Sequence, residues 1–205
     1  MKKNKKQDLV YGIIGMGRFG EALAVTLAEA GKEVIVVDRD ENKIKEMRQY
    51  TEHAFICGNL SSETLREIGI QNCDVVIICI GEQVDISILT TMSVIEMGVP
   101  RVISKAVSSE QGAVLKKLGA DVVYPERDMA LRLGKRLISS TFLDYVSLCD
   151  SVEIRQIQLP DSLAGRSVEQ SQLRRRYKLN TSAGDAHTWW PLCCLTPPHV
   201  PRSRR

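Results

Sequence analysis

The 205-residue chain suits one domain, or one domain and a fragment, and its 43% apolar content is enough to bury a sizeable core. The formal net charge of +3 arises at the ends: between residues 7 and 173 there are 17 Lys and Arg against 24 Asp and Glu, a balance that argues against broad attraction to nucleic acid. Six cysteines without CxxC or zinc spacing, a Lys-rich start with no apolar segment behind it, and no apolar run near the length of a membrane span point to a reducing, cytoplasmic setting.

The first element predicted is a βαβ unit. Leu9 to Ile14 is an apolar run leading into Gly15-Met16-Gly17-Arg18-Phe19-Gly20, followed by a helical pattern from Glu21 to Ala30, a second apolar run Val34-Ile35-Val36-Val37, and Asp38. A GxGxxG alone is weak, but within this unit it is a dinucleotide-type signature. Gly15 permits the tight turn, Gly17 lets the backbone approach a pyrophosphate, and Gly20 lets the helix pack on the sheet. N–H groups and the dipole at the helix start then face phosphate. Asp38, 18 residues after the last glycine, can accept hydrogen bonds from an adenosine ribose and repel a 2′-phosphate, although Arg39 leaves NADP as a lesser alternative. Arg18 sits inside the loop and can place a charged fork on a terminal phosphate, or point away as an ordinary surface residue.

Further along, Glu41 to Tyr50 reads as a helix buried through Ile44 and Met47, and His53 to Cys57 as a third strand ending at Gly58-Asn59. Ser61 or Ser62 caps the next helix. Asp74 to Ile80 is apolar enough to be buried on both faces, as parallel strands are. Gly81 leads to a helix carrying Ile86, Leu89, Ile95 and Met97, stopped by Gly98 and Pro100. Val102 to Ala106, a helix from Glu110 to Leu118, and Asp121 to Tyr124 complete six strands alternating with helices. The pattern implies a Rossmann-like, doubly wound parallel sheet of the α/β class.

Such sheets bind ligands beyond the carboxyl ends of their strands. Asn59 there can meet an adenine edge, Gly81 can let backbone pass the ligand, and Lys105 can reach a phosphate; a turn residue, a plain turn and a surface lysine are the competing readings. Glu126 is a candidate ligand for a divalent cation, although a lone carboxylate is more often a solvated or capping acid. The helix from Glu126 to Ser140 has an apolar face, Met129, Leu133 and Leu137, widened by Leu131, Ile138 and Phe142 beyond what one sheet contact needs. It reads as an interface helix. Val152 to Leu159 alternates like a strand opening something new, and Ser167 to Tyr177 is weakly helical. From Thr181 both tryptophans, four of the seven prolines and Cys193-Cys194 occur without periodicity, so 181–205 is expected to be disordered or translated out of frame.

Taken together, Ile13 to Gly20, Val36-Val37-Asp38, Gly58-Asn59, Val76 to Gly81, Leu118 to Asp121 and Tyr124-Pro125-Glu126 resemble the RCK (KTN, TrkA-N) domain of the cytosolic regulatory subunits of bacterial Trk/Ktr potassium uptake systems. The resemblance implies a sensor of ATP/ADP or NAD(H), dimers assembling into an octameric ring beneath a membrane-embedded potassium-translocating subunit, and no catalytic task. It further implies Arg18 at the terminal phosphate of ATP, Asp38 at the ribose, Asn59 near the adenine, and Glu126 on Mg or Ca between paired domains. The expected division is a nucleotide-binding domain with a crossover helix over 1–140, a truncated second lobe over 141–180, and the atypical tail. An NAD-dependent oxidoreductase is the alternative function. It is disfavoured because few patterned residues follow Ser151 to present substrate, and the sole histidine before the tail, His53, lies in or beside a strand.

Overall fold

A computed structural model describes residues 9–138, 142–149, 152–157, 163, 166–177, 180–181 and 192–196. The chain divides into two compact units, between Glu126 and Arg127.

The first unit follows the expected alternation. Its elements are β1 (Val10–Ile14), α1 (Arg18–Glu29), β2 (Glu33–Asp38), α2 (Glu41–Met47), β3 (Ala54–Ile56), α3 (Ser62–Ile68), a 3-10 turn at Ile70–Asn72, β4 (Val75–Ile78), α4 (Val84–Glu96), β5 (Arg101–Lys105), α5 (Ser109–Leu118) and β6 (Asp121–Val123), with α6 (Pro125–Ile138) crossing the division. All six strands are parallel, in the order β3-β2-β1-β4-β5-β6. This is a Rossmann-like sheet. Its order reverses between β1 and β4, where the two halves of the sheet wind in opposite directions.

The core lies on both faces of the sheet, because each central strand alternates side chains between two layers of helices. Ile13, Val34, Val36 and Ile77 pack with Ala24, Ile44 and Met47 on one side. Ile14, Val37, Val76 and Ile78 pack with Leu65, Ile70 and Val94 on the other. All four residues of β4 are buried, as its continuous apolar run predicts. Helix starts are marked by side chains that take up first-turn N–H groups: Asp40 for α2, Ser61 for α3 and Ser108 for α5.

Two expectations, on α4 and on the tail, are corrected. In α4 the buried side chains are Ser87, Thr90, Thr91 and Val94, while Leu89 is 58% exposed; of the residues that periodicity selects, Ile95 and Met97 pack against the core, and hydroxyls fill much of the rest of the buried face. The division between the two units follows Glu126, and α6, which the sequence reads as an interface helix, has no buried residue in the single chain. Leu192–Thr196, in the segment expected to be disordered, is a strand.

The second unit contains β7 (Phe142–Cys149), β8 (Val152–Ile157), α7 (Val168–Ser171), α8 (Leu173–Tyr177), β9 (Asn180–Thr181) and β10 (Leu192–Thr196). Its sheet is ordered β7-β8-β10-β9, with antiparallel pairing throughout. Leu192-Cys193-Cys194-Leu195 is a short apolar run in the sequence, and its backbone pairs with β8 and β9. The remainder of 181–205, beyond Thr181, lies outside the described residues.

Candidate functional site

The carboxyl ends of β1, β2, β4 and β5 open onto a cleft of about 730 Å³, within the size range of small-molecule sites. Gly15, Gly17, Arg18, Phe19, Asp38, Arg39, Asn59, Gly81, Lys105 and Glu126 all line it. Gly20 does not. It is buried, and a Cβ there would meet the carbonyl oxygen of Gly15 and lie 3.1 Å from Cys79 Cβ, so its role is to let α1 approach the sheet.

The other two glycines serve the turn and the opening. Gly15 has φ +100°, in the left-handed region that a side chain resists, and its N–H donates to the Val37 carbonyl at 2.8 Å. Gly17 is the N-cap of α1 in extended backbone (φ −77°, ψ 178°), and a Cβ there would meet no protein atom within 4 Å. The fold does not require glycine at 17; a ligand on the backbone would. Unlike α2, α3 and α5, α1 carries no side-chain cap. Among the described residues no side chain takes its first-turn N–H groups, which leaves them and the positive end of the dipole for an anion.

Asp38, at the end of β2, holds the loop as well as facing the cleft. One carboxylate oxygen accepts from the Met16 N–H at 2.5 Å and the other from the Asp40 N–H at 2.8 Å. Each oxygen keeps a second lone pair, so hydrogen bonding to a ribose remains open to it. Beside it Arg39 donates to the Gln83 side-chain oxygen at 3.3 Å, linking the end of β2 to the start of α4. Asn59 is exposed, and its carbonyl accepts from the buried Cys57 thiol at 2.8 Å.

At the opposite end Lys105, the last residue of β5, has a side chain only 12% exposed, and its Nζ donates to Glu126 Oε1 at 2.6 Å. That bond first, then Glu126's own backbone N–H and the charges of Lys105 and Arg18, holds the Glu126 carboxyl below the usual carboxylate range. Arg18 and Lys105 set two cations beside the Glu126 carboxylate, with Glu82, next to Gly81, also lining the cleft. A Cβ at Gly81 would stand 3.3 Å from Lys105 Nζ, so the small residue there gives the ammonium its place. Cys79, under the same end, is pushed up to about 12 by burial, against the opposing charge of Lys105. Its thiol stays protonated and inert.

These residues fit an adenine nucleotide: a bare helix start and open glycine for phosphate, cations at one end, and a carboxylate at the other. They do not by themselves fit a divalent cation. Glu126 is engaged by an ammonium, and the described residues contain no cluster of three or more His, Cys, Asp or Glu able to hold a metal. Lys43, Gln83, Thr90 and Ser93 also line the cleft and were not singled out from the sequence. Lys43 follows Asp38 closely enough to be noticed in the sequence, whereas the α4 residues reach the cleft only through the tertiary fold.

A family model described as the TrkA-N domain matches residues 11–125, more than half of the chain and all six parallel strands but the first residue of β1. The chain belongs to the TrkA-N family. Ktr system potassium uptake protein C of Bacillus subtilis (strain 168) is 37% identical over 174 residues, 84% of this chain and 79% of the relative. Ktr system potassium uptake protein A of the same organism is 32% identical over 176 residues, 85% of this chain and 78% of the relative. Among solved structures, GsuK bound to ADP is 27% identical, with a TM-score of 0.53 over 65% of this chain and 35% of that one. The TrkA-N match coincides with the unit that contains the cleft, so the family signature and the candidate site are one region. No helix among the described residues is long and apolar enough to cross a membrane.

Proposed function

We propose that this chain is the nucleotide-sensing regulatory subunit of a potassium uptake system, binding ATP/ADP or NAD(H) in the cleft and passing the difference to a membrane-embedded potassium-translocating partner. The observation that carries the reading is the polarity of the cleft within a TrkA-N domain. An uncapped α1 start, open Gly17, Arg18 and Lys105 form a phosphate end, and Asp38 stands at a ribose end.

In this reading the backbone N–H groups of the loop take the inner phosphates, Arg18 and Lys105 take the terminal one, Asp38 takes the ribose, and Asn59 faces the adenine. Arg39 borders the ribose, and Phe19 and Gly81 form the walls. ATP and ADP differ by one charged group at the phosphate end, so the two ligands can favour different conformations. A tenfold affinity difference is about 1.4 kcal/mol of coupling, enough to shift a balanced equilibrium decisively. Met129, Leu133 and Leu137 of α6 are 59%, 52% and 77% exposed in the single chain. Burying each is worth ~1.5–3 kcal/mol, which favours a crossover helix covered by a second copy in a dimer and, through it, a ring of dimers. A divalent cation at Glu126 would need that second copy too, with Lys105 released.

The oxidoreductase alternative finds no histidine among the residues that line the cleft. His53, the only histidine among the described residues, precedes β3 at the amino end of the sheet, 3.8 Å from Glu33, whereas the cleft is at the carboxyl ends.

Calorimetric titration of the whole chain with ATP, ADP, NAD and NADH tests the reading. Saturable binding with unequal ATP and ADP affinities, made equal by Arg18→Ala, supports it. Absence of binding to all four, or steady NADH oxidation with a small carbonyl compound, overturns it.

A further inference from the structure

Lys105 is flanked on both sides by a buried polar network that has no counterpart elsewhere among the described core residues. Ser104, just before it, is fully buried, and its hydroxyl meets the Thr91 hydroxyl of α4 at 3.1 Å. Thr91 also donates to the Ser87 carbonyl at 2.7 Å. Beyond Lys105, the Val107 N–H donates to the Gln111 side-chain oxygen at 2.9 Å, and the Gln111 amide nitrogen donates to Ser87 Oγ at 3.2 Å. Gln111 is 3% exposed. The end of β5 that carries Lys105 is thus tied to α4 on both sides, through hydroxyls before it and a bridging side-chain amide after it.

Apolar side chains fill the same sheet-to-helix space on β4, where no desolvation of polar groups is incurred. A fully satisfied polar network instead fixes one geometry, because any displacement leaves a buried donor or acceptor unmade. Lys105 has little slack, being mostly buried and placed against Gly81.

Resting on the nucleotide reading above, we propose that Gln111 is a positioning residue for the phosphate end of the cleft, acting through the Val107 backbone to set where Lys105 presents its ammonium. It touches no ligand itself.

The test is a double-mutant cycle on the full chain, with ATP affinity read by calorimetry in the native protein, Lys105→Gln, Gln111→Leu and the double variant. Gln111→Leu is expected to weaken ATP binding about fivefold or more in the native background, and less than about twofold once Lys105 is gone. Ser108→Ala, which removes the α5 cap on the Gln111 backbone N–H but neither bond of the Gln111 side-chain amide, is expected to lower the melting temperature with ATP affinity unchanged. Should Gln111→Leu not fold, Ser87→Ala removes the acceptor of its amide nitrogen and is read in the same cycle. Equal losses in the two backgrounds, or no loss in a folded variant, overturn the proposal. A native chain that binds no nucleotide refutes the functional reading instead.

Discussion

Gly17 and Gly20 stand three residues apart in one motif, yet the structure assigns them opposite duties, and alanine at each position separates them. At Gly17 the backbone is extended and a Cβ meets no protein atom. Restricting the unfolded chain stabilises by ~0.4–1 kcal/mol, and replacing glycine by alanine at an N-cap costs about as much, so Gly17→Ala is expected to melt within about 3 °C of the native protein. At Gly20 the new methyl meets the Gly15 carbonyl oxygen and stands 3.1 Å from Cys79 Cβ. Overpacking costs ~1–3 kcal/mol. Because the obstructing atom is backbone of the turn itself, the upper end applies, a fall of about 10 °C. ATP binding should move the other way: Gly17→Ala places a methyl where the phosphate approaches and loses about 100-fold or more, ~2.7 kcal/mol. Thermal melts by circular dichroism paired with calorimetric titration measure both quantities. A Gly17→Ala protein that binds ATP normally, or a Gly20→Ala protein that melts with the native one, would refute the division of labour.

Other outcomes follow from the same geometry. Asp38→Asn keeps the shape but sets an amide N–H against one of the two backbone N–H groups that the carboxylate accepts. It should cost ~1–3 kcal/mol and speed hydrogen exchange at Met16, and unchanged exchange would show that the loop does not depend on Asp38. Glu126→Gln releases Lys105, so with divalent cations chelated, ATP affinity should rise several-fold, and a fall would contradict competition between Glu126 and phosphate. The Glu126 carboxyl is held below its usual range, so its ion pair contributes above the ordinary carboxylate pKa and is lost as pH falls through the lowered value; calorimetry at stepped pH should find the native and Glu126→Gln proteins converging only in acid. Burial raises Cys73 to about 11 and Cys79 to about 12. The folded state therefore binds these protons more tightly than the unfolded chain, and stability should drop as pH rises above about 9. Iodoacetamide at neutral pH should label both cysteines only at the rate of unfolding, and rapid labelling in the native state would contradict their burial.

Local pattern carries most of the first unit. Val10–Ile14, the glycine turn, α1 and β2 are contiguous, so their periodicities and the spacing to Asp38 declare the motif without any distant contact. The alternation of six strands with helices likewise implies a parallel sheet, since parallel neighbours need a crossover. The buried face of α4 escapes such a reading because periodicity counts apolar residues, and that face carries hydroxyls, two of which bond to Ser104 and Gln111 on other elements. β10 escapes it for a related reason. A short apolar segment acquires strand character when β8 is beside it, and nothing within Leu192–Thr196 announces that partner.

The amino-acid sequence by itself determined the glycine turn, the acid after β2 and the class of the fold, because turn chemistry and side-chain period act over a few neighbouring residues. Only the tertiary structure decided that Arg18, Lys105 and Glu126 share one end of a cleft, that Gly20 faces the sheet and not the opening, and that Asp38 braces the loop it borders. Those facts depend on β4 lying beside β1 and β5 beside β4, pairings between residues far apart along the chain, where loop closure and side-chain fit outweigh any local preference.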